Sequence, residues 1–458
     1  MHNKRMLARG VSLLLALGLV AIGCGEDKAE DTKTDSSTEA PSDTTDTKSD
    51  GVLAGMKGTT PLVDLGDEFK TRMKTIDPEL SDFNYGAESY DAVIIVGLAI
   101  AEAKTDGAAY GDKVNGITRG GEKCTDFKGC MAIIEAGGDV DYDGASGPLE
   151  FSGNGEPTEA SYGILQFGTM KDSAAGTKCE KTDECVDDSL TKFVKATAPE
   201  SADVPQVPVS ATREGDGEVT IGTLLPITGS LAFLGPPEFA GVKLAIEEIN
   251  DAGGLLGKPV KYEEGDSGDT ENKVAPQTVA TLLSKNVDVI IGAASSSVSL
   301  SVVDTIVTAG VAMFSPANTS KKLSSYDDKG LYFRNAPSDI LQGQVLADTI
   351  IADGMTSVYV LALNDDYGTG LAEDLQAGLE SGGASVKGTK IYDPKAADYS
   401  AEVSEAKDSG ADAIVLIGFD ESSKILAKMK EQGLDLSTVY GVDGNMGNAL
   451  AENFEAGK

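Results

Sequence analysis

The chain has 458 residues, 40% of them hydrophobic, and a formal net charge of −36 from 74 Asp+Glu against 38 Lys+Arg. The apolar content supports large cores and the length suggests two or three domains, while so acidic a balance argues against nucleic acid and anionic membrane surfaces, which need a basic footprint. The only histidine is His2, in a segment expected to be removed, so the mature chain lacks Ser-His-Asp and Cys-His relays and the commonest zinc ligand.

The first residues read as a targeting signal. Lys4, Arg5 and Arg9 precede an apolar run from Val11 to Ile22 that is short for a bilayer span and stops at Gly23-Cys24. Val20-Ala-Ile-Gly-Cys24 resembles the bacterial lipobox, which makes residues 1–24 a lipoprotein signal peptide and Cys24 the lipidated residue. An uncleaved membrane anchor is the competing interpretation, and both place the protein outside the cytoplasm. Residues 25–50 are polar and charged, with almost no apolar position, and are expected to be a disordered tether.

Val52 to Pro61 reads as a strand that opens a helix with no preceding partner. At the other end, Ala451 to Lys458 stops after a helix-like segment with no strand to complete its α/β unit. The edges fit: Glu218 to Lys458 followed by Val52 to Phe167 makes one continuous pair of α/β domains, the pattern of a circular permutation. Asp91, on an Ala-rich helix, is expected to be solvated or to bond a cap. Cys124 with Cys130 and Cys179 with Cys185 form two close pairs, which in an exported protein read as local disulfides. A four-cysteine metal site is the weaker alternative, because the spacing is CX5C twice.

Asp139-Val-Asp-Tyr-Asp-Gly-Ala-Ser-Gly-Pro-Leu-Glu150 matches a calcium-loop pattern, with Asp139, Asp141, Asp143 and Glu150 as candidate ligands. The strand-and-turn signal after Glu150, where such a loop requires a helix, argues against it. Met170 to Gly217 is polar and contains Pro199, Pro205 and Pro208, the composition of a connector.

From Val219 the chain alternates. Strands are expected at 219–225, 260–264, 287–291, 311–314, 357–363, 386–391, 413–417 and 438–441. Helices are expected at 238–250, 273–284, 299–308, 369–379, 401–407 and 422–431. Such alternation implies parallel sheets covered on both faces. Ligands of these folds sit beyond the carboxyl ends of strands. There the first series offers Ser295 to Ser297 and Ser315 to Ser320, hydroxyls and helix amides suited to a carboxylate. The second offers Tyr367, Phe419 and Asp443, suited to an apolar body and an ammonium group. Singly, each motif reads equally as a helix cap; their convergence on one face points to a site.

Five segments carry a more specific resemblance: Leu225-Pro-Ile-Thr-Gly-Ser-Leu-Ala232, Ala245 to Gly254, Ser315-Pro-Ala-Asn-Thr319, Asp366-Tyr-Gly-Thr-Gly370 and Glu88-Ser-Tyr-Asp-Ala92. They resemble the extracytoplasmic solute-binding proteins of branched-chain amino-acid type ABC importers, which have the type I periplasmic binding protein fold. The resemblance implies two α/β lobes with doubly wound parallel sheets joined by three hinge crossings, here in permuted order. It implies that Ser296, the Ala317 backbone and Thr319 hold a ligand carboxylate. Tyr367, Phe419 and Asp443 would line the other wall and take the amino group, with Tyr85 near the ligand side chain. Leu234 stands where some relatives carry a tryptophan, a departure that bears on specificity.

The domain organisation that follows is a lobe 2 strand at 51–57, the second part of lobe 1 at 58–149 and the last part of lobe 2 at 150–169. A permutation connector follows at 170–217, then the first part of lobe 1 at 218–336 and the main part of lobe 2 at 337–458. The function implied is a monomeric, lipid-anchored receptor on the outer face of the cytoplasmic membrane. It would capture a small solute, an amino acid, and dock on an ABC permease, with no cofactor, no nucleic acid and no chemistry performed. The alternatives are a sensory receptor for a separate signalling partner, a carboxylate-based enzyme and a calcium-dependent structural lipoprotein.

Overall fold

The computed structural model describes residues 51–169, 184–197 and 204–455. The expected signal peptide with Cys24, the tether at 25–50, Cys179 and the stretches 170–183 and 198–203 of the expected connector lie outside the described residues.

One sheet runs in lateral order Tyr332–Arg334, Ala312–Ser315, Val289–Gly292, Thr220–Leu224, Lys261–Glu263, every neighbouring pair parallel. Its central strands are short and buried at every residue, as a sheet covered on both faces requires. The helix Gly86–Ala103 is apolar nearly all round and buried from Gly86 to Ile100. A helix of that composition is stable only inside a core; this one packs with the helix Gly235–Asp251 against the sheet.

The other sheet runs Ser385–Tyr392, Ser357–Leu363, Ala413–Ile417, Val439–Gly441, Lys57–Pro61, Glu159–Thr169, Glu184–Val186. The first five strands are parallel. Glu159–Thr169 is antiparallel to Lys57–Pro61, and both Glu184–Val186 and Lys192–Thr197 are antiparallel to Glu159–Thr169. A strand from the first part of the chain thus lies between Val439–Gly441 and Glu159–Thr169. It occupies residues 57–61, within the Val52–Pro61 stretch expected to supply it; the turn at Val52–Gly55 precedes it.

Each sheet has its own core, and the chain passes from one core to the other at Leu62–Val63, between Phe151 and Leu165, and between Phe333 and Ala336. These crossings set the two lobes facing each other across a cleft.

The expected connector is more structured than its composition suggests. Lys192–Thr197 is an edge strand with an alternating exposed and half-exposed pattern, which carries almost no hydrophobic signal. Residues 204–217 then run along the first lobe, where Val209 N donates to Asp112 Oδ1 at 2.8 Å and Arg213 pairs with the buried Asp288 at 2.6 Å. Cys124 and Cys130 are disulfide-bonded, and Cys185 is also in a disulfide.

One expectation in the first lobe changes. Asp91 is fully buried rather than solvated. Its carboxylate accepts from Tyr142 OH at 2.6 Å, Ala145 N at 2.9 Å and Ser146 N at 2.7 Å, so it holds the loop after Tyr142. In the calcium-like loop, Asp141, Asp143 and Glu150 gather on Lys123 Nζ at 3.0, 3.0 and 3.3 Å. No helix follows Glu150; Phe151 bridges to Pro157 instead. An ammonium group therefore stands where three of these carboxylates converge, and no metal-binding group of three or more ligands occurs among the described residues.

Candidate functional site

The first lobe builds its wall of the cleft from two strand ends. Val289–Gly292 ends in Gly292, at φ 124°, where an added Cβ would lie 2.0 Å from Leu224 O. Only glycine fits that turn. The chain then reaches Ser295, which caps the helix Ser296–Thr308. The neighbouring strand ends in Ser315, whose Oγ donates to Ala293 O at 2.7 Å and accepts from Asn318 N at 2.9 Å. Asn318 Nδ2 donates to Ala293 O and Ala294 O at 2.9 and 2.8 Å, stapling the two loops together. Ser296 Oγ in turn accepts from Thr319 N and Ser320 N at 3.3 Å. Ser295, Ser296, Ala317 and Thr319 thus surround the positive end of a helix, an arrangement suited to a carboxylate.

The second lobe supplies the opposite wall. Tyr367 lies in the first turn of the helix Asp366–Ser381, and Phe419 follows the strand Ala413–Ile417. Their rings stack at 5.5 Å with an 11° interplanar angle. Asp443 follows the strand Val439–Gly441 and is buried. Its Oδ1 accepts from Tyr367 OH at 2.6 Å and Gln342 Nε2 at 2.8 Å; its Oδ2 accepts from Tyr85 OH at 2.7 Å.

Burial pushes the Asp443 carboxyl above its ordinary range, and the hydrogen bonds from Tyr367, Tyr85 and Gln342 pull against that shift. Burial and then the Asp443 charge hold both tyrosine hydroxyls well above theirs, so they act as donors. Tyr85 reaches across from the first lobe at φ 59°, a left-handed backbone that a bulky residue adopts only where the surroundings impose it.

Tyr85, Leu234, Ser296, Ala317, Thr319, Tyr367, Phe419 and Asp443, the eight ligand-contact candidates of the sequence, all line one cavity. Leu231, Ala294, Ser295 and Gly444 complete its lining. Leu231 and Leu234 give it an apolar corner. Over its mouth the lobes touch: Ser297 Oγ donates to Asp365 Oδ2 at 3.1 Å and accepts from Asp366 N at 3.0 Å, and Lys321 pairs with Asp374 at 2.8 Å.

Sequence reasoning missed the residues behind this wall. Gln342 Nε2 joins Asp443 to Thr59 O of the inserted strand. Arg334, fully buried, donates from Nε to Glu156 at 2.8 Å and from Nη1 to Asn318 O and Ser320 O at 3.2 and 3.0 Å. It therefore positions the loop that carries Thr319. An arginine in an apolar crossing segment was the available signal.

Two α/β lobes around a polar-ended cleft define a solute-binding architecture. Residues 218–454 match the periplasmic binding protein family, and the chain belongs to that family. It is 28% identical over 231 residues to "Leu/Ile/Val-binding protein homolog 3" of Brucella melitensis, covering 50% of this chain and 61% of the relative. It is 30% identical over 213 residues to the leucine-, isoleucine-, valine-, threonine-, and alanine-binding protein of Pseudomonas aeruginosa, covering 46% and 56%. Among solved structures, the branched-chain amino-acid transporter substrate-binding protein LivJ from Streptococcus pneumoniae, in complex with isoleucine, is similar at 26% identity. The coverage is 52% of this chain and 68% of that one, with a TM-score of 0.47. The chain spans 61% and 56% of the two curated relatives.

Proposed function

We propose that the protein is an extracytoplasmic receptor that captures an α-amino acid between its lobes and hands it to an ABC-type membrane importer. The observation that carries this reading is the opposition, across one small cavity, of a hydroxyl-and-amide cradle and a buried, cation-free carboxylate, Asp443. Ser296, Ala317 and Thr319 would hold the ligand carboxylate, and Asp443 would pair with its ammonium. Tyr85, Tyr367, Phe419, Leu231 and Leu234 would enclose an apolar side chain, in keeping with the branched-chain ligands in the relatives' names. Closure would be driven by contacts that the second lobe makes only when the lobes meet. The protein performs no reaction in this account, because the acid faces hydroxyls rather than a second catalytic group across the cavity.

The wider organisation belongs to the same proposal: a lipid anchor at Cys24, a monomeric receptor and a circularly permuted gene. Permutation is supported by the family match beginning at residue 218 and by Lys57–Pro61 lying parallel to Val439–Gly441 within one sheet.

The test is a thermal-shift panel of common amino acids, small amides and calcium on the chain from Gly51 onward. A ligand at a thousand times its dissociation constant adds about 4 kcal/mol of stability. The expected outcome is a selective shift by a branched-chain amino acid that disappears in Asp443→Ala, which leaves the ammonium unpaired. A cooperative melt unmoved by every amino acid would overturn the ligand assignment.

A further inference from the structure

Behind Asp443 lies a second carboxyl group that the ligand-binding proposal leaves unused. Asp339 is fully buried at the start of the helix Asp339–Ala352, and neither side-chain oxygen has a hydrogen-bond partner. Its backbone N donates to the O of Thr319, a cavity residue, at 2.7 Å. One helical turn on, Gln342 hydrogen-bonds Asp443. Residues three apart share a helix face, so Asp339 and Asp443 are neighbours in one buried pocket. Unpartnered buried oxygens cluster around them: Gln342 Oε1, Thr59 Oγ1, Ser338 Oγ and Tyr162 OH.

The pocket is short of positive charge. The cation bearing on Asp339 is Arg334, already paired with Glu156. Asp374 also bears on it and is itself paired with Lys321. The remaining titratable groups facing the pair are Tyr85, Tyr162 and Tyr367. Two buried carboxylates without a free cation cannot both ionise. Asp443, with three donors, is the better anion, and Asp339, on which only the Thr319 side chain bears as a donor, is the better acid. Burial and then the Asp443 charge accordingly hold Asp339 well above the usual carboxylate range.

We propose that Asp339 is a second acidic determinant of the amino-acid site: with Asp443 it holds one proton while the site is empty, and an entering ammonium group drives that proton to solvent. The inference rests on the amino-acid reading given above. The ammonium keeps its own protons and no covalent bond forms; the carboxylic acid loses H⁺ to the buffer as positive charge arrives. Binding then tightens as pH rises through the range in which the empty pair deprotonates. A solute without an ammonium group gives no such exchange, so the pair selects against plain carboxylates and aromatic acids.

The test has a ligand-free arm and a ligand arm, both on the chain from Gly51 onward. Infrared difference spectra at pH 7 compare the wild type with Asp339→Asn. A carbonyl stretch of a buried carboxylic acid, present in the wild type and missing in the variant, is expected; identical spectra would overturn the acid pair. Should the variant not fold, the wild type alone decides through calorimetry with L-leucine in two buffers of different ionisation enthalpy. Release of up to one proton per leucine is expected, and binding with no release overturns the proposal. If leucine fails to bind at all, the branched-chain ligand assignment falls while the infrared band still judges the pair.

Discussion

The Tyr367 hydroxyl does two things at once. It donates to Asp443 at 2.6 Å and accepts from Gly444 N at 3.3 Å, while its ring stacks on Phe419. Tyr367→Phe keeps the ring and removes the oxygen. A hydrogen bond to a charged group contributes about 1.5–3 kcal/mol, so the affinity for a branched-chain amino acid should fall by about tenfold or more, read by isothermal titration calorimetry. Stability of the ligand-free protein should fall as well, read by thermal melting. In the empty site the hydroxyl supports a carboxylate that is costly to bury, and losing it favours the protonated form. A variant that bound leucine as tightly as the wild type would remove Tyr367 from the ammonium-binding set.

Among the elements, the crossings bear the greatest electrostatic load. Arg334 leaves the first core and Glu156 belongs to the return crossing, so one buried ion pair ties two of the three strands of chain between the lobes. Such a pair is a poor source of net stability, yet removing one partner leaves a buried charge and costs about 3–5 kcal/mol. Arg334→Met should therefore lower the urea midpoint sharply, and Arg334→Met with Glu156→Gln should recover part of the loss. Equal destabilisation by the single and double variants would mean that the bonds from Arg334 to Asn318 O and Ser320 O carry the effect instead. The pair was invisible in the sequence because its members lie 178 positions apart in segments without periodicity. The strand ends were legible for the opposite reason. Gly292 and the Ser315–Thr319 turn need particular residue types at adjacent positions to leave a buried strand and cap a helix, and such constraints are local. The edge strand Lys192–Thr197 escaped notice because four of its six residues are exposed and none is buried, so no apolar face marks it.

For the whole molecule, buried acids outweigh buried bases, and this sets the direction of its pH response. Burial pushes Glu88 up to about 8, Glu421 to about 7, and Asp82, Asp288 and Asp365 to about 6. Each has a lower value in the unfolded chain, so the folded state binds more protons between the two values and stability falls as pH rises through that interval. For these five groups the stabilising contribution is fully present below the unfolded values and is lost as pH rises through about 6 to 8, Glu88 being the last of them to ionise. Surface carboxylates held low by partners, such as Asp353 beside Lys57 and Asp412 at the Thr356 turn, act the other way, but only as pH falls below the ordinary carboxylate range. The net charge of −36 adds self-repulsion that grows with the same deprotonations and is screened by salt. The melting temperature of the ligand-free protein should therefore decline from about pH 5 to pH 8.5, less steeply in high salt. Glu88→Gln should flatten the part of the curve above pH 6, because its window extends beyond those of Glu421, Asp82, Asp288 and Asp365. A melting temperature that rises with pH across this range, or one that Glu88→Gln leaves unchanged in slope, would mean that these carboxyl groups are hydrated in solution and that water reaches the core beside the site.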